Sequence, residues 1–260
     1  MLSVQLAEAV GKGHLSYSSV KYALQDMRLW EMYMRGQLFK ESEALTFGSM
    51  YDCLLFTPED FDKQFLVLND SAKCEEIGGR APRMTNKYKA WVKDFQEEAE
   101  EKKVKLIGQD DFKKAQEMIE RLKVTGVMEE YLIGDYQHEF NKEISGVPVR
   151  GFLDCLNKDY ISDHKTTRSL SAFRYAVRDY GYDIQAYIYC SVLGLDKFYW
   201  VAQEKAYPYV IGVYQASDET IENGKVKFDK AVERITRYLD NNLETETFYI
   251  KGLIWWMHKN

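Results

Sequence analysis

The chain has 260 residues, a formal net charge of −6, 45% hydrophobic and 29% charged residues, and only 4 prolines. This composition excludes a disordered, collagen-like or low-complexity chain, and the length suits one large domain. The acidic balance excludes general attraction to phosphate, so any contact with DNA has to be local or mediated by a metal ion.

The longest apolar runs, Val210 to Tyr214 and Gly252 to Met257, fall far short of the roughly 20 residues that cross a bilayer, so no membrane association is expected. Met1 to Val10 carries Glu8 and lacks a basic start before an apolar core; it does not read as a secretion signal, and the expected compartment is the cytoplasm. Cys53, Cys74, Cys155 and Cys190 are far apart and form no C-x-x-C pair, which argues against a zinc ribbon, a redox motif or an iron–sulfur site.

In chain order, the first expected element is a helix capped by Ser16 or Ser18. It carries Val20, Leu24, Met27, Trp30, Tyr33 and Met34 at spacings of three and four and ends at Gly36. A second helix is expected from about Thr46 to Phe56, stopped by Thr57-Pro58 and followed by a turn at Glu59-Asp60-Phe61. Ser71 to Met84, with Gly78-Gly79 and Pro82, reads as a surface loop. Lys87 to Glu130 is highly charged with apolar residues at helical spacing, which predicts two solvated helices separated near Gly108.

The pattern changes after Gly134. Strands are expected over His138 to Glu143 and Val147 to Leu156 around a Ser145-Gly146 turn, then over Tyr160 to Thr166 after Asn157-Lys158-Asp159. A long helix from Ser171 to Leu193, strands at Lys197 to Ala202 and Val210 to Ala216, and a helix from Asp218 to Asn241 complete the pattern. The fold class is therefore α/β: a mixed central sheet flanked by helices, with an N-terminal helical layer. A single domain over 1–260 divides into a mainly helical part, 1–133, an α/β core, 134–245, and a C-terminal tail, 246–260.

Chemistry concentrates in the three strands. Side chains alternate along a strand, so Asp163 and Lys165 share one face and His164 points away. Asp154 lies near the end of the preceding strand, and the hairpin brings it beside Asp163. Two neighbouring carboxylates repel unless a cation sits between them, and a hard divalent ion such as Mg²⁺ suits an all-oxygen site. Lys165 is then placed to orient or activate water and to offset charge on an attacked phosphate, the division of labour of metal-assisted phosphodiester hydrolysis. On these residues alone a bare D…D-x-K also arises by chance, as ordinary strand-end residues.

The surrounding motifs narrow this. Gly151-Phe152-Leu153-Asp154 followed by Ile161-Ser162-Asp163-His164-Lys165-Thr166-Thr167 resembles the core of the PD-(D/E)xK nuclease superfamily. Tyr182-Asp183-Ile184-Gln185-Ala186-Tyr187-Ile188-Tyr189 resembles the Y-x-x-Q-x-x-x-Y helix of its phage-type exonucleases. Upstream, Leu15-Ser16-Tyr17-Ser18-Ser19, then Gly48 to Leu55 followed by Pro58-Glu59-Asp60-Phe61, resemble the RecE-like branch. The resemblance spans about residues 14 to 240 and implies a restriction-endonuclease-like core. Asp154 and Asp163 would be metal ligands, the backbone carbonyl of His164 a further one, Lys165 the catalytic lysine, and Gln185 a support of the site. Tyr189, one turn further on the same helix face, is a candidate for the site or for packing.

One position departs from the resemblance. RecE-like proteins usually carry histidine in a G-x-x-x-H helix, where this chain has Asp52. Asp52 lies in an apolar run, Met50 to Phe56, where an unpaired carboxylate is costly to bury, so it reads as an oxygen ligand replacing imidazole and favouring hard ions. A local cap or salt bridge is the alternative.

Glu139 is a further candidate oxygen for the ion, or an exposed strand carboxylate. Arg168 and Arg174 are candidates for DNA phosphates. Arg80, Arg83, Lys87 and Lys89 form a second basic cluster, either admitting DNA or merely solvated. His14, His138 and His258 have no paired spacing and read as structural or surface residues. Tyr17, Tyr22, Trp30 and Tyr33 read as helical core before they read as a wedge at a duplex end. The resemblance implies a Mg²⁺-dependent deoxyribonuclease, Mn²⁺ substituting, acting 5′-to-3′ on double-stranded DNA ends to expose single strands for recombination. It also implies a trimeric or tetrameric homo-oligomeric ring and a single-strand annealing recombinase as partner. The alternatives are an endonuclease or end-trimming nuclease of the same superfamily and a catalytically silent DNA-binding or assembly protein.

Overall fold

The structure is a computed structural model that describes residues 2–38 and 42–240, so the expected tail at 246–260 and His258 lie outside the described residues. The chain opens with three helices, α1 (Leu2–Val10), α2 (Tyr17–Gln25) and α3 (Met27–Met34). Ser16 and Ser19 cap α2 reciprocally, each side chain bonding the other's backbone N–H. The single helix expected through Met34 is divided at Asp26, whose extended backbone ends α2 and whose side chain accepts from the N–H of Arg28 to start α3. Apolar periodicity runs through such a break, because the two helices keep their apolar sides on the same core. α1 was not among the expected elements.

Ser42 caps α4 (Glu43–Phe56), which stops ahead of Pro58 as expected. α5 (Phe61–Gln64) leads into β1 (Phe65–Leu68), which pairs in parallel with β2 (Lys105–Gly108). Neither short strand was expected: runs of four residues carry too little periodicity. Between them lie α6 (Ser71–Ile77) and α7 (Asn86–Lys102), so the expected surface loop holds a helix, closed by Gly78 at φ 67°. α8 (Gln109–Val124) and α9 (Val127–Tyr131) follow.

The main sheet contains β3 (Asp135–Ile144), β4 (Val147–Leu156), β5 (Ile161–Thr167), β6 (Phe198–Glu204) and β7 (Ile211–Gln215), paired in that order. Only β5 and β6 run parallel, and their crossover carries α10 (Phe173–Asp179) and α11 (Tyr182–Leu193). One long helix was expected there. Gly181 divides it at φ 73°, a conformation that cannot continue a right-handed helix.

α12 (Asp218–Leu239) lies across α11 in very close approach: a Cβ on Gly224 would stand 2.1 Å from the carbonyl oxygen of Asp183. Asp183, itself buried, ties the pair by accepting from Lys227 at 2.5 Å. One core, with Trp30, Phe173, Phe198 and Phe228, joins one sheet face to α2, α3, α11 and α12. A second, with Met50, Tyr51, Met118, Leu122 and Val201, joins the other face to α4 and α8. The mixed sheet with helices on both faces is the expected α/β class.

Candidate active site

β4 and β5 pair only at Cys155 with Ser162 and Leu156 with Ile161. The ladder opens at the next step, where Asp154 and Asp163 come opposite one another. Facing carboxylates repel, and the side chain of Asp154 replaces a backbone acceptor: the N–H of His164 donates to its Oδ2 at 3.0 Å. The opening therefore leaves a gap in the sheet lined by acidic oxygen.

On β5 the expected alternation holds. Asp163 and Lys165 form an ion pair on one face, and Gln185 of α11 donates from Nε2 to Asp163 Oδ1 at 2.7 Å. The Asp163 side chain is only 2% exposed, so these two partners stand where water would otherwise solvate it. Burial pulls the Lys165 ammonium down, but Asp163 and Asp154 outweigh it and hold the pKa above the ordinary lysine value. Lys165 is thus a fixed cation and hydrogen-bond donor.

His164 turns to the opposite face. Its ring lies on Tyr51 of α4, centroids 4.6 Å apart and planes 15° from parallel. Burial, first of all, pushes its pKa down to about 3, so the imidazole is neutral beside Asp52, whose Oδ1 is 3.7 Å from Nδ1. Tyr51 in turn donates to Gln203 Oε1 at 2.7 Å, and Gln203 Nε2 donates to the Met118 carbonyl at 2.9 Å. These contacts dock α4 on the sheet and set where Asp52, the next residue, stands.

Asp52 remains 36% exposed, at the wetted edge of the acidic gap. Burial pushes its carboxyl up to about 7, with Lys165 opposing and Asp163 reinforcing the rise. Asp154 is pushed well above the ordinary carboxylate range by burial, then by Asp163 and Asp52. Three carboxylates thus share the field of one ammonium. A dication would complete that balance, and the all-oxygen donor set suits a hard ion. Among the described residues no three acidic, imidazole or thiol side chains form a ready-made metal cage. Lys165 stands against Asp163, so a cation there competes with the ammonium for the same oxygen. On donor chemistry and charge, the residues fit a divalent ion.

Two tyrosines complete the surroundings. The Lys165 ammonium lies 5.1 Å from the centroid of the Tyr182 ring, and burial raises the hydroxyl pKa of Tyr17 against the opposing pull of Lys165. Tyr17 donates to the carbonyl of Tyr180. Tyr17 packs against the helical core as expected, and it also lies within the field of Lys165 and Asp163; the signal for that second role was the Leu15-Ser16-Tyr17-Ser18-Ser19 motif. Tyr22 and Trp30 pack as expected, the first on Tyr33 and the second on Tyr238.

The other candidates divide. Tyr189 is buried against Phe140, with its hydroxyl 3.5 Å from Gln185 Nε2. Glu139 pairs with Arg150 at 2.6 Å. Arg168 and Arg174 are exposed, Arg174 over the Tyr175 ring. Arg83 is bound bidentately to buried Asp70 and Lys87 to Glu76, so half of the second basic cluster is neutralised within the chain. His138 contacts Asp135 at 2.6 Å, and burial, then the charges of Arg150 and Lys12, lower the pKa of His14. Cys53, Cys155 and Cys190 are buried free thiols and Cys74 is a half-buried one. No described helix is long and apolar enough to cross a membrane.

The sequence signature of a family described as a PDDEXK-like domain of unknown function (DUF3799) matches residues 24–247. A crystal structure named "Putative exonuclease" from Eubacterium rectale is similar over 95% of this chain and 88% of its own, with 19% identity and a TM-score of 0.65. The structure of SSO0001 covers 88% of each chain at 12% identity and a TM-score of 0.31. No protein of curated function matches. At 19% identity the likeness to the Eubacterium rectale structure is one of fold, and the family match makes that fold PDDEXK-like.

Proposed function

Because the chain belongs to the PDDEXK-like DUF3799 family, we propose that it is a Mg²⁺-dependent deoxyribonuclease, a 5′-to-3′ exonuclease on linear double-stranded DNA ends, with Mn²⁺ able to substitute. The observation that carries this reading is the meeting of Asp52, Asp154, Asp163 and Lys165 at the opening between β4 and β5. Asp52, Asp154, Asp163 and the backbone carbonyl of His164 would hold the ion, which when bound supplies positive charge to a phosphodiester and acidifies water.

The chain's own residues do the rest. Lys165, kept charged by its acidic neighbours, donates to water or to a phosphate oxygen and offsets charge that develops during attack. Gln185 holds one oxygen of Asp163 and so fixes where the other points. Tyr17 and Tyr182 shield the lysine from bulk water, which strengthens its field.

A chain of net charge −6 does not retain DNA by general attraction, so sustained digestion calls for topological retention. The RecE-like resemblance supplies a threaded homo-oligomeric ring, a trimer or tetramer, in which cyclic symmetry gathers each subunit's few basic residues around one channel. The strand left behind would pass to a single-strand annealing recombinase.

Digestion of end-labelled linear and covalently closed circular duplexes, with and without Mg²⁺, tests the reading. Linear duplex should be degraded from its 5′ ends only with the ion, and circles spared. Cleavage of circles by a protein that light scattering shows to be monomeric would favour an endonuclease.

A further inference from the structure

α10 and Tyr180, the residue that follows it, expose aromatic rings and guanidinium groups together. Tyr175 is 47% and Tyr180 57% exposed. The Tyr175 ring carries two arginines of its own helix, Arg174 with Cζ at 4.8 Å and Arg178 at 5.9 Å from the centroid, and Arg174 donates to the Tyr175 hydroxyl at 2.9 Å. Arg178 also bonds Asp179, whereas the contacts of Arg174 are with Tyr175. In an acidic chain this is a local reversal of charge, and both arginines are exposed.

The patch is continuous with the active site. The Lys165 ammonium rests on Tyr182; the Tyr182 ring is 5.7 Å from that of Tyr180; and the Tyr180 carbonyl accepts from Tyr17, which also faces the lysine. From Tyr180 the seven residues of α10 extend the surface by about 10 Å at the helical rise. Scattered exposed tyrosines need no explanation, but a ring that carries two arginines and leads through a second exposed tyrosine to the candidate nuclease centre has a ligand of matching chemistry.

We infer that α10 and Tyr180 form a stacking platform for unpaired nucleotides flanking the scissile phosphate, with Tyr175 and Tyr180 taking base faces and Arg174 and Arg178 the phosphates. This rests on the nuclease reading of the neighbouring site. Single-stranded DNA is the occupant because a duplex turns its base faces inward on one another, while an unpaired strand offers every base to a ring and its backbone to a cation. The contacts are indifferent to base identity, since any base has a π face. A strand held this way is already unpaired when it reaches Asp163 and Lys165.

The test compares the wild type with Tyr175→Ala/Tyr180→Ala, Tyr175→Phe/Tyr180→Phe and Tyr175→Leu by fluorescence anisotropy of a labelled oligothymidylate in EDTA, where no hydrolysis occurs. The double alanine variant should bind about tenfold more weakly, the phenylalanine variant like wild type, and Tyr175→Leu, which keeps bulk and loses the π face, more weakly than wild type. A blunt duplex should bind all four proteins equally. Equal binding of oligothymidylate by the wild type and the alanine and leucine variants, or a loss in the phenylalanine variant as large as in alanine, overturns the platform. Hydrolysis of bis(p-nitrophenyl) phosphate with Mn²⁺ separates the two readings, because this small diester does not reach α10. All four proteins should cleave it alike; its failure in every protein would sink the nuclease reading while leaving the binding comparison intact.

Discussion

The backbone N–H of His164 donates to the side chain of Asp154 at 3.0 Å, and this bond joins β4 to β5 where their ladder has already opened. Asp154 is therefore both a strand connector and an acidic oxygen of the site, and its replacement should be read on fold and on chemistry separately.

Asp163→Ala and Asp154→Ala should each lower nuclease turnover by about a hundredfold or more, with the circular dichroism spectrum retained. Near wild-type cleavage by either purified variant would contradict the assignment. Asp154→Ala should also lower the melting temperature, because the His164 N–H loses its acceptor, at a cost of about 1–3 kcal/mol.

Lys165→Ala should lose turnover while still binding the ion, and should bind it no more weakly than wild type, since the ammonium competes for Asp163. Calorimetric titration with Mn²⁺ checks this. A complete loss of binding would make the lysine a structural counter-ion of Asp163.

Asp52→Asn should weaken Mg²⁺ affinity, and Asp52→His should retain activity with a shift in preference toward Mn²⁺, because imidazole is the softer ligand. Activity titrations with each ion measure the effect, and unchanged metal dependence in both variants would return Asp52 to a local structural role.

The pH dependence of stability has a definite sign. The folded carboxyl of Asp52 titrates near 7, above its unfolded value, so the folded state binds more protons in between and Asp52's contribution to stability declines as pH rises through 7. His164 acts oppositely: pushed down to about 3, it contributes stability at neutral pH that is lost as pH falls below its ordinary value near 6.5. Metal-free Asp52→Asn should therefore gain melting temperature relative to wild type at pH 8 and lose that advantage at pH 5. A constant difference across this range would show that Asp52 does not titrate in it.

Gly224→Ala should destabilise the chain by about 3 kcal/mol, read by thermal unfolding, because the new methyl meets the Asp183 carbonyl between two packed helices. The equivalent change at Gly48, where a Cβ meets nothing within 4 Å, should leave the melting temperature unchanged or raise it.

The β3–β4–β5 meander and the acid–lysine pair were legible in the sequence because both are local. Alternation put Asp163 and Lys165 on one face, and a short turn brought Asp154 back beside them; neither depends on the rest of the chain. The helical break at Gly181 was not legible from apolar spacing, since both halves of the crossover keep their apolar sides on one core. Asp52 was expected at the site from its motif; tertiary structure decided what holds it there and what brings Tyr17 near it. Asp52 stands there because Tyr51 stacks on His164 and bonds Gln203 across a separation of 152 residues. Tyr17 stands there because its hydroxyl reaches the Tyr180 carbonyl 163 residues away. Periodicity reports which side of an element is buried; only packing between distant elements settles what that side is buried against, and so which carboxylates come close enough to share a charge.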